Sequence, residues 1–155
     1  MNRPEKLVKA LKDRGLTVFT AESCTGGLIA KKITDVPGAS AVLNGGIVSY
    51  TNAIKSGLLR VKKRTLARYT AVSAQVAEEM AAGAARFGDI GISVTGYASG
   101  GDGVPDGDTG LVFIGIAQNN RVAVEKHMFS GTRSEIREQA AEAAIDLILK
   151  EIDEL

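Results

Sequence analysis

The sequence contains one cysteine, Cys24, and one histidine, His127, among 155 residues. A single cysteine excludes an intramolecular disulfide and the zinc sites that are built from several cysteines. The absence of a disulfide framework fits a reducing compartment such as the cytosol. Neither basic nor acidic residues are in excess: the chain has 19 basic and 18 acidic residues and a net charge of +1. This balance provides no field that would collect nucleic acid or an anionic membrane.

Long apolar runs are also missing. The segment Met1–Lys6 is polar, and no stretch has the apolar core of a signal peptide or the roughly 18 apolar residues of a membrane span. We therefore predict a cytoplasmic protein with no membrane partner. A chain of this length suits one domain, residues 1–155, that can fold without a metal or a disulfide.

Hydrophobic periodicity predicts alternating helices and strands along the chain. Helices are expected over residues 3–14, 28–34, 52–57 and 62–69, from a cap at Ser73 to about Ala84, and from a capping box at Thr132 and Glu135 to about Ile148. Strands are expected over residues 16–21, 41–50, 90–94, 111–117 and 121–129, the last two joined by a tight hairpin at Asn119-Asn120. This order indicates a three-layer α/β/α sandwich on a mixed, mostly parallel sheet of about five strands.

Glycines are abundant, 18 in all, and many lie between the predicted elements. The pair Gly45-Gly46 inside the second strand suggests a bulge or a close approach of another chain segment. In sheets of this kind ligands collect at the carboxyl ends of the strands. We therefore expect the turns after the first three strands, residues 23–27, 50–55 and 95–108, to share one edge.

The turn Thr20–Gly27 (TAESCTGG) places hydroxyls, a thiol and two glycines between a strand and a helix. One interpretation is that Ser23 or Thr25 only caps the helix. The other is that Ser23 is a nucleophile and that free helix-start N–H groups bind an anion. Cys24 is an alternative nucleophile, whose thiol pKa should fall at a helix start, although no histidine is placed to assist it.

A serine nucleophile needs a base, and two candidates follow from the sequence. His127 lies inside the hairpin strand, away from the expected site edge, which argues against a Ser-His-Asp triad. Lys55 follows the second strand and would approach Ser23. Its pKa would have to fall from about 10.4 towards roughly 7 to 8 by burial beside apolar neighbours; otherwise it is a solvated lysine. Backbone N–H groups of residues 24–27 are candidates for holding an oxyanion.

Arg133 is expected in the first turn of the last helix, where the helix dipole disfavours a cation. A bound phosphate or carboxylate would resolve that conflict, and Arg137 lies one turn further on the same face. The alternative is an exposed arginine paired with Glu135 or Glu138. The glycine- and aspartate-rich loop 96–109 does not have the spacing of a calcium-binding EF-hand, so no metal site is predicted.

Five ordered motifs together resemble the C-terminal domain of the competence/damage-inducible protein CinA over nearly the whole chain. They are residues 21–27 (AESCTGG), 46–52 (GIVSYTN) followed by Lys55, 71–73 (AVS), 93–96 (SVTG), and 131–133 (GTR) followed by Arg137. In the stand-alone PncC type of that family, a serine-lysine dyad hydrolyses nicotinamide mononucleotide to nicotinate mononucleotide and ammonia.

The resemblance implies Ser23 as nucleophile, Lys55 as its base, and no metal or organic cofactor. It implies a small-molecule nucleotide as substrate, with phosphate near Arg133 and the glycine loop, no nucleic-acid partner, and a homo-oligomer, with a dimer favoured. The implied substrate-binding residues are Cys24, Thr25, Gly26, Gly27, Tyr50, Asn52, Thr95, Gly96, Arg133 and Arg137.

One segment departs from the family pattern. After Thr95-Gly96 the family commonly continues I-A-G-P, whereas this chain has Tyr97-Ala98-Ser99-Gly100 and then several aspartates. A bulky phenol and carboxylates near a phosphate site would weaken nucleotide binding or change its preference. Two alternatives therefore stay open: a non-catalytic nucleotide-binding or interaction domain, and an amidase for another phosphorylated carboxamide.

Overall fold

Five strands form one mixed sheet in the computed structural model, which describes residues 1–153. The strands are β1 (Val18–Glu22), β2 (Leu43–Val48), β3 (Ile90–Gly96), β4 (Leu111–Gln118) and β5 (Arg121–Met128). The helices are α1 (Arg3–Arg14), α2 (Leu28–Thr34), α3 (Asn52–Leu59), α4 (Lys63–Tyr69), α5 (Ala74–Ala84) and α6 (Arg133–Glu151). Short 3-10 turns cover Ala39–Ala41 and Ala85–Phe87.

The strand order is β2-β1-β3-β4-β5. Strand β1 pairs in parallel with both β2 and β3, while β4 runs antiparallel to β3 and β5 runs antiparallel to β4. Four of the five strands therefore point the same way, and the predicted mixed, mostly parallel sheet is confirmed. The carboxyl ends of β1, β2 and β3 meet at one edge.

Helices cover both faces of the sheet. On one face α1, α2 and α6 bury Val18, Ile92 and Val94 together with Ile29 and Ile145. On the other face α3, α4 and α5 surround a smaller cluster that includes Ala21, Leu59, Val76, Met80 and Ala84. The predicted three-layer α/β/α sandwich is confirmed. No helix within residues 1–153 is both long and apolar enough to cross a membrane.

Helix α5 lies unusually close to the sheet because glycines face it. A Cβ atom at Gly91 would lie 2.2 Å from the carbonyl oxygen of Ala81, and one at Gly115 would lie 2.5 Å from that of Ala77. The Ser93 hydroxyl donates to the same Ala77 oxygen at 2.6 Å. The alanine-rich helix therefore packs on the strands almost backbone to backbone.

Several local predictions hold, and each strand has at least one boundary that differs by one or two residues from the prediction. The hairpin residues Asn119 and Asn120 both have positive φ (53° and 64°), as a tight antiparallel return requires. The capping box of Thr132 with Glu135 is present.

The strand boundaries show how neighbouring segments limit a strand. Strand β2 begins only at Leu43, because the preceding residues form a 3-10 turn, and β1 extends to Glu22. A Cβ at Gly46 would lie 2.1 Å from Thr20 Oγ1, which is the close approach that the glycine pair suggests.

Thr70, between α4 and α5, has φ 68° and ψ 168°, a conformation that only glycine adopts without strain. Its side chain is exposed, so little packing would be lost on truncation. We expect Thr70→Gly to raise the free energy of unfolding by about 1 kcal/mol and the Tm by roughly 2 to 4 °C. Thermal unfolding followed by circular dichroism measures the change.

The matched control is Thr70→Ala, which shortens the side chain but keeps the Cβ atom and therefore the strain. We expect that variant to gain little or nothing. A glycine variant no more stable than the alanine variant would show that the backbone at this position is not strained.

Candidate active site

A pocket of about 250 Å³ lies at the edge where the first three parallel strands end. Each strand contributes the turn that follows it, as predicted, and the loop before α5 and the start of α6 complete the wall. The residues that line it are Ser23, Cys24, Tyr50, Lys55, Ala71, Val72, Thr95, Gly96, Tyr97, Ala98, Ser99, Val104 and Arg133.

A larger cleft, about 530 Å³, lies near the N-terminus between α1, α2 and α6. Of the cations that line it, Lys32 is paired with both Glu138 and Glu142, and Arg3 is paired with Glu142 and Asp146. It holds neither a nucleophile nor a buried titratable group, so it offers no comparable chemistry.

Lys55 and Ser23 meet inside the smaller pocket. The Lys55 side chain is 1% exposed and Ser23 is 9% exposed. The Lys55 Nζ lies 3.0 Å from Ser23 Oγ and donates a hydrogen bond to the backbone carbonyl of Ser49 at 2.7 Å. Helix α3 fixes this lysine, since its first turn is capped by the Thr51 side chain, which accepts from the Ile54 N–H. The solvated-lysine interpretation is therefore wrong.

Burial acts in opposite directions on the two reactive side chains of the pocket. It lowers the pKa of the Lys55 amine from 10.5 to about 8, because the charged form is desolvated. It raises the pKa of the Cys24 thiol from 9.0 to about 11 for the same reason. The expectation that a helix start would depress the Cys24 pKa is wrong: α2 begins four residues later, and the thiol is only 6% exposed.

Glu22, which sequence reasoning did not single out, occupies the start of α2. Its buried carboxylate accepts from the backbone N–H groups of Ile29 at 2.8 Å and Ala30 at 3.1 Å. The N-cap residue is Gly27 and makes no side-chain cap, so the hypothesis that Ser23 or Thr25 caps this helix is wrong. A carboxylate already satisfies these amides, and the start of α2 is therefore closed to a substrate anion.

The turn after β1 leaves two backbone donors without an acceptor on another residue. The Ser23 N–H donates to the Val94 carbonyl at 2.9 Å, and the Gly26 N–H donates to the Ser23 carbonyl at 3.1 Å. Within the described chain the N–H groups of Cys24 and Thr25 donate to no acceptor on another residue. Cys24 lines the pocket, whereas Thr25 is fully buried and does not, so the Cys24 N–H beside Ser23 is the candidate for holding an oxyanion.

Arg133 is the cation at the pocket mouth. Its guanidinium donates to Ser99 Oγ at 2.7 Å and to the Tyr50 hydroxyl at 3.1 Å. Arg133 is exposed, as the alternative expects. The expected ion pairs with its helix neighbours are absent among the described residues, because the Glu135 carboxylate accepts the Thr132 N–H and Glu138 pairs with Lys32. Arg133 therefore joins the loop after β2 to the loop after β3.

Five of the residues expected to bind substrate do not line the pocket. Asn52 is exposed at the first position of α3. Thr25, Gly26 and Gly27 complete the turn after β1 without lining the pocket, and Gly26 and Gly27 have φ values of 60° and 104°. Arg137 lies on the same side and donates to the backbone carbonyls of Cys24 at 2.9 Å and Thr25 at 3.2 Å.

Cys24, Tyr50, Thr95, Gly96 and Arg133 do line the pocket. The Thr95 hydroxyl donates to the Ala71 carbonyl at 2.8 Å, which ties β3 to the loop before α5.

His127 lies on β5, outside the pocket. Its Nε2 is 3.0 Å from Glu125 Oε1, and its ring stacks on Phe129 with centroids 5.0 Å apart. His127 thus lies on the hairpin strand, as predicted, and Lys55 is the candidate base that lies next to Ser23. Residues 1–153 contain no group of three or more His, Cys, Asp or Glu side chains placed to hold a metal ion.

Comparison with known proteins gives matches along nearly the whole chain. A family model described as the CinA C-terminal domain matches residues 2–152. A CinA-like protein of Leptospira borgpetersenii is 50% identical over 147 residues, which are 93% of this chain and 35% of that protein. The chain thus spans about a third of the length of the curated relatives it matches.

Solved structures agree with the fold. A competence/damage-inducible protein from Agrobacterium tumefaciens is 35% identical with a TM-score of 0.90, covering 97% of this chain and 96% of that one. A CinA-superfamily protein from Escherichia coli is 32% identical with a TM-score of 0.90, covering 96% and 88%. Similarity at these levels extends over the elements that build the pocket.

Proposed function

The chain belongs to the CinA C-terminal domain family, and on that premise we propose that it is an amidohydrolase that converts nicotinamide mononucleotide to nicotinate mononucleotide and ammonia. The observation that carries the proposal is the 3.0 Å contact between Lys55 Nζ and Ser23 Oγ inside a pocket. The substrate comes from the family resemblance, and the chemistry from this contact.

The first half of the reaction forms an acyl-enzyme. With Lys55 unprotonated, the Ser23 O–H donates to the amine lone pair, and the Ser49 carbonyl holds the amine in place through one of its N–H bonds. Ser23 Oγ attacks the carboxamide carbon while its proton moves to Lys55. The carbonyl oxygen becomes an oxyanion, which the Cys24 N–H would stabilise. Lys55 then returns the proton to the departing nitrogen, and ammonia leaves.

The second half regenerates the enzyme. Lys55, neutral again, takes a proton from a water molecule that attacks the Ser23 ester. The second tetrahedral intermediate collapses to a carboxylate and the free Ser23 hydroxyl. One water is consumed and one ammonia is released, and neither a metal nor an organic cofactor is required.

The burial of Lys55 supports its role as base. A lysine with its usual pKa would be almost fully protonated near neutral pH, whereas one with a pKa of about 8 is neutral in about a tenth of the molecules at pH 7. The amine is thus both available as a base and able to return the proton.

Arg133 supports a phosphorylated substrate, since a guanidinium at a helix start suits an anion. Arg133 is also the reason that two alternative functions stay open. Two of its donors are engaged by Ser99 and Tyr50, and Ser99 belongs to the segment that departs from the family pattern. A domain that binds a nucleotide without turning it over, or an amidase for another phosphorylated carboxamide, would use the same contacts.

An ammonia-release assay separates these functions. We expect ammonia from nicotinamide mononucleotide, with kcat/KM lower by about tenfold to a hundredfold for nicotinamide riboside, which lacks the phosphate that Arg133 would contact. Asparagine should give none. Calorimetric binding of the mononucleotide with no ammonia over hours would favour the non-catalytic alternative. Turnover of a different phosphorylated carboxamide in its place would overturn the substrate.

A further inference from the structure

Ser99 contacts Arg133 across the pocket mouth. Both residues line the pocket that contains Ser23 and Lys55. Ser99 Oγ accepts a hydrogen bond from Arg133 Nη1 at 2.7 Å, and the Tyr50 hydroxyl accepts one from Nη2 at 3.1 Å. The guanidinium has further N–H groups that make no hydrogen bond within residues 1–153. Those groups remain for another acceptor.

The positive charge of Arg133 is not neutralised by these contacts, because both hydroxyls are neutral. In the part of the chain that the structure describes, no carboxylate forms an ion pair with it. The nearby glutamates of α6 are engaged by other groups. A guanidinium that lines a pocket and has no counter-ion suits an anionic group of a ligand.

The Ser99 hydroxyl has a proton to offer to such an anion. A hydroxyl can donate one hydrogen bond while it accepts others. Here the oxygen accepts from Arg133, and its own O–H donates to no acceptor among the described residues. A hydroxyl that accepts from a cation is polarised and becomes a stronger donor. An anion bound to Arg133 at the pocket mouth would therefore lie within reach of a second, polarised donor.

The backbone that carries Ser99 is anchored to the sheet. The Tyr97 N–H donates to the Leu111 carbonyl at 3.0 Å, and the Gly110 N–H donates to the Tyr97 carbonyl at 2.8 Å. The next residue, Ala98, is only 4% exposed. Ser99 follows directly and is itself half-buried. Its hydroxyl is thus held in place before a ligand arrives, which lowers the entropic cost of binding.

We propose that Ser99 is a specificity-determining residue, whose hydroxyl donates to a phosphate oxygen of the substrate while it accepts from Arg133. The inference rests on the proposed function and deepens it. The family commonly has glycine at this position, so this chain has one phosphate donor more than the family pattern. At this position the departure favours a phosphorylated carboxamide, although the bulk of Tyr97 and the loop aspartates suggest the opposite.

A competing role for Ser99 has the opposite sign. If the hydroxyl only occupied Arg133, its removal would free the guanidinium and tighten the binding of an anion. If it donates to the anion, its removal weakens that binding. The direction of the change in Ser99→Ala therefore decides between the two roles.

The binding test titrates inorganic phosphate into the protein and follows the amide NMR signals. We expect the Kd for phosphate to rise about fivefold to tenfold in Ser99→Ala, the usual effect of losing one hydrogen bond to a charged group at a half-exposed site. Ser40→Ala removes an exposed hydroxyl outside the pocket, is the matched control and should bind phosphate as wild type does. A Kd that is unchanged or lower in Ser99→Ala, or wild type that binds no phosphate, would overturn the inference.

The kinetic test compares nicotinamide mononucleotide with nicotinamide riboside. We expect Ser99→Ala to raise KM for the mononucleotide about fivefold to tenfold and to leave kcat unchanged, since the lost contact is the same in the ground state and the transition state. Both constants for the riboside should stay unchanged, because it has no phosphate to accept the proton. Equal losses on the two substrates would show that Ser99 only shapes the pocket wall, and would overturn the inference.

The two tests separate this inference from the proposed function. If wild type releases no ammonia from either substrate, the proposed function is contradicted, and the phosphate titration still decides whether Ser99 binds phosphate. If wild type releases ammonia and Ser99→Ala matches it in both tests, the inference is overturned and the proposed function stands.

Discussion

Replacing Ser23 by alanine is expected to lower kcat for ammonia release by at least about 10⁴-fold, because the covalent path through the hydroxyl is lost. Replacing Lys55 by methionine, which has a similar length but no amine, should cost about 10² to 10⁴-fold, the usual contribution of a general base. The two losses should not add in a double variant, since serine and lysine act as one unit. Steady-state assays on the single and double variants measure this.

Cys24→Ala is the control for the nucleophile. The thiol is next to Ser23 in sequence and lines the same pocket, but burial raises its pKa to about 11. Alanine keeps the backbone N–H, so this variant should retain at least about a tenth of wild-type activity. If Cys24→Ala is inactive while Ser23→Ala is active, the nucleophile has been assigned to the wrong residue.

Activity should rise with pH through the titration of Lys55. The base works only when unprotonated, and burial lowers its pKa to about 8. The sign is therefore positive: kcat/KM should increase about 30-fold between pH 6.5 and pH 9 and become flat above that. The pH profile of kcat/KM reports this pKa in the free enzyme.

The residual activity of Lys55→Met provides the comparison. It should lack the rise near pH 8, since the titrating amine is gone. A wild-type profile that is flat from pH 6.5 to pH 9, or a rise that persists in Lys55→Met, would mean that another group controls the reaction.

Most of the fold follows from the sequence because its signals are local and agree with one another. The Thr132 and Glu135 capping box and the Asn119-Asn120 turn each need only adjacent residues. The location of the site also follows, since strand ends of a parallel sheet must share an edge. Strand boundaries do not follow from such local signals: the segment before Leu43 is apolar enough for a strand but forms a 3-10 turn.

The features of the site that could not be predicted from the sequence depend on contacts between residues far apart in the chain. In the sequence Glu22 looks like the polar end of a strand. Only the packing of α2 shows that its carboxylate accepts hydrogen bonds from the N–H groups at the start of that helix. Arg133 and Arg137 lie one helical turn apart on the same face of α6, yet their guanidinium groups lie on different sides of the turn that carries Ser23. Their spacing in the sequence does not distinguish the two arginines, because it carries no information on which residues face the helix.

The segment after Gly96, which departs from the family pattern, forms part of the pocket wall. Ser99 stands where the family commonly has glycine, and its hydroxyl accepts from Arg133 at 2.7 Å. Tyr97 lines the same wall of the pocket. These residues change the surroundings of the expected phosphate site and leave the contact between Ser23 and Lys55 intact.

The titration of the Lys55 amine itself tests the central claim most directly. Lysine side-chain NMR signals followed against pH, with Lys55 identified by the signal missing from Lys55→Met, give its pKa without any substrate. We expect the Lys55 amine to titrate near pH 8, well below the ordinary lysine value of about 10.4. If Lys55 titrates at that ordinary value, it is not poised as a base for Ser23, and the proposed chemistry is contradicted.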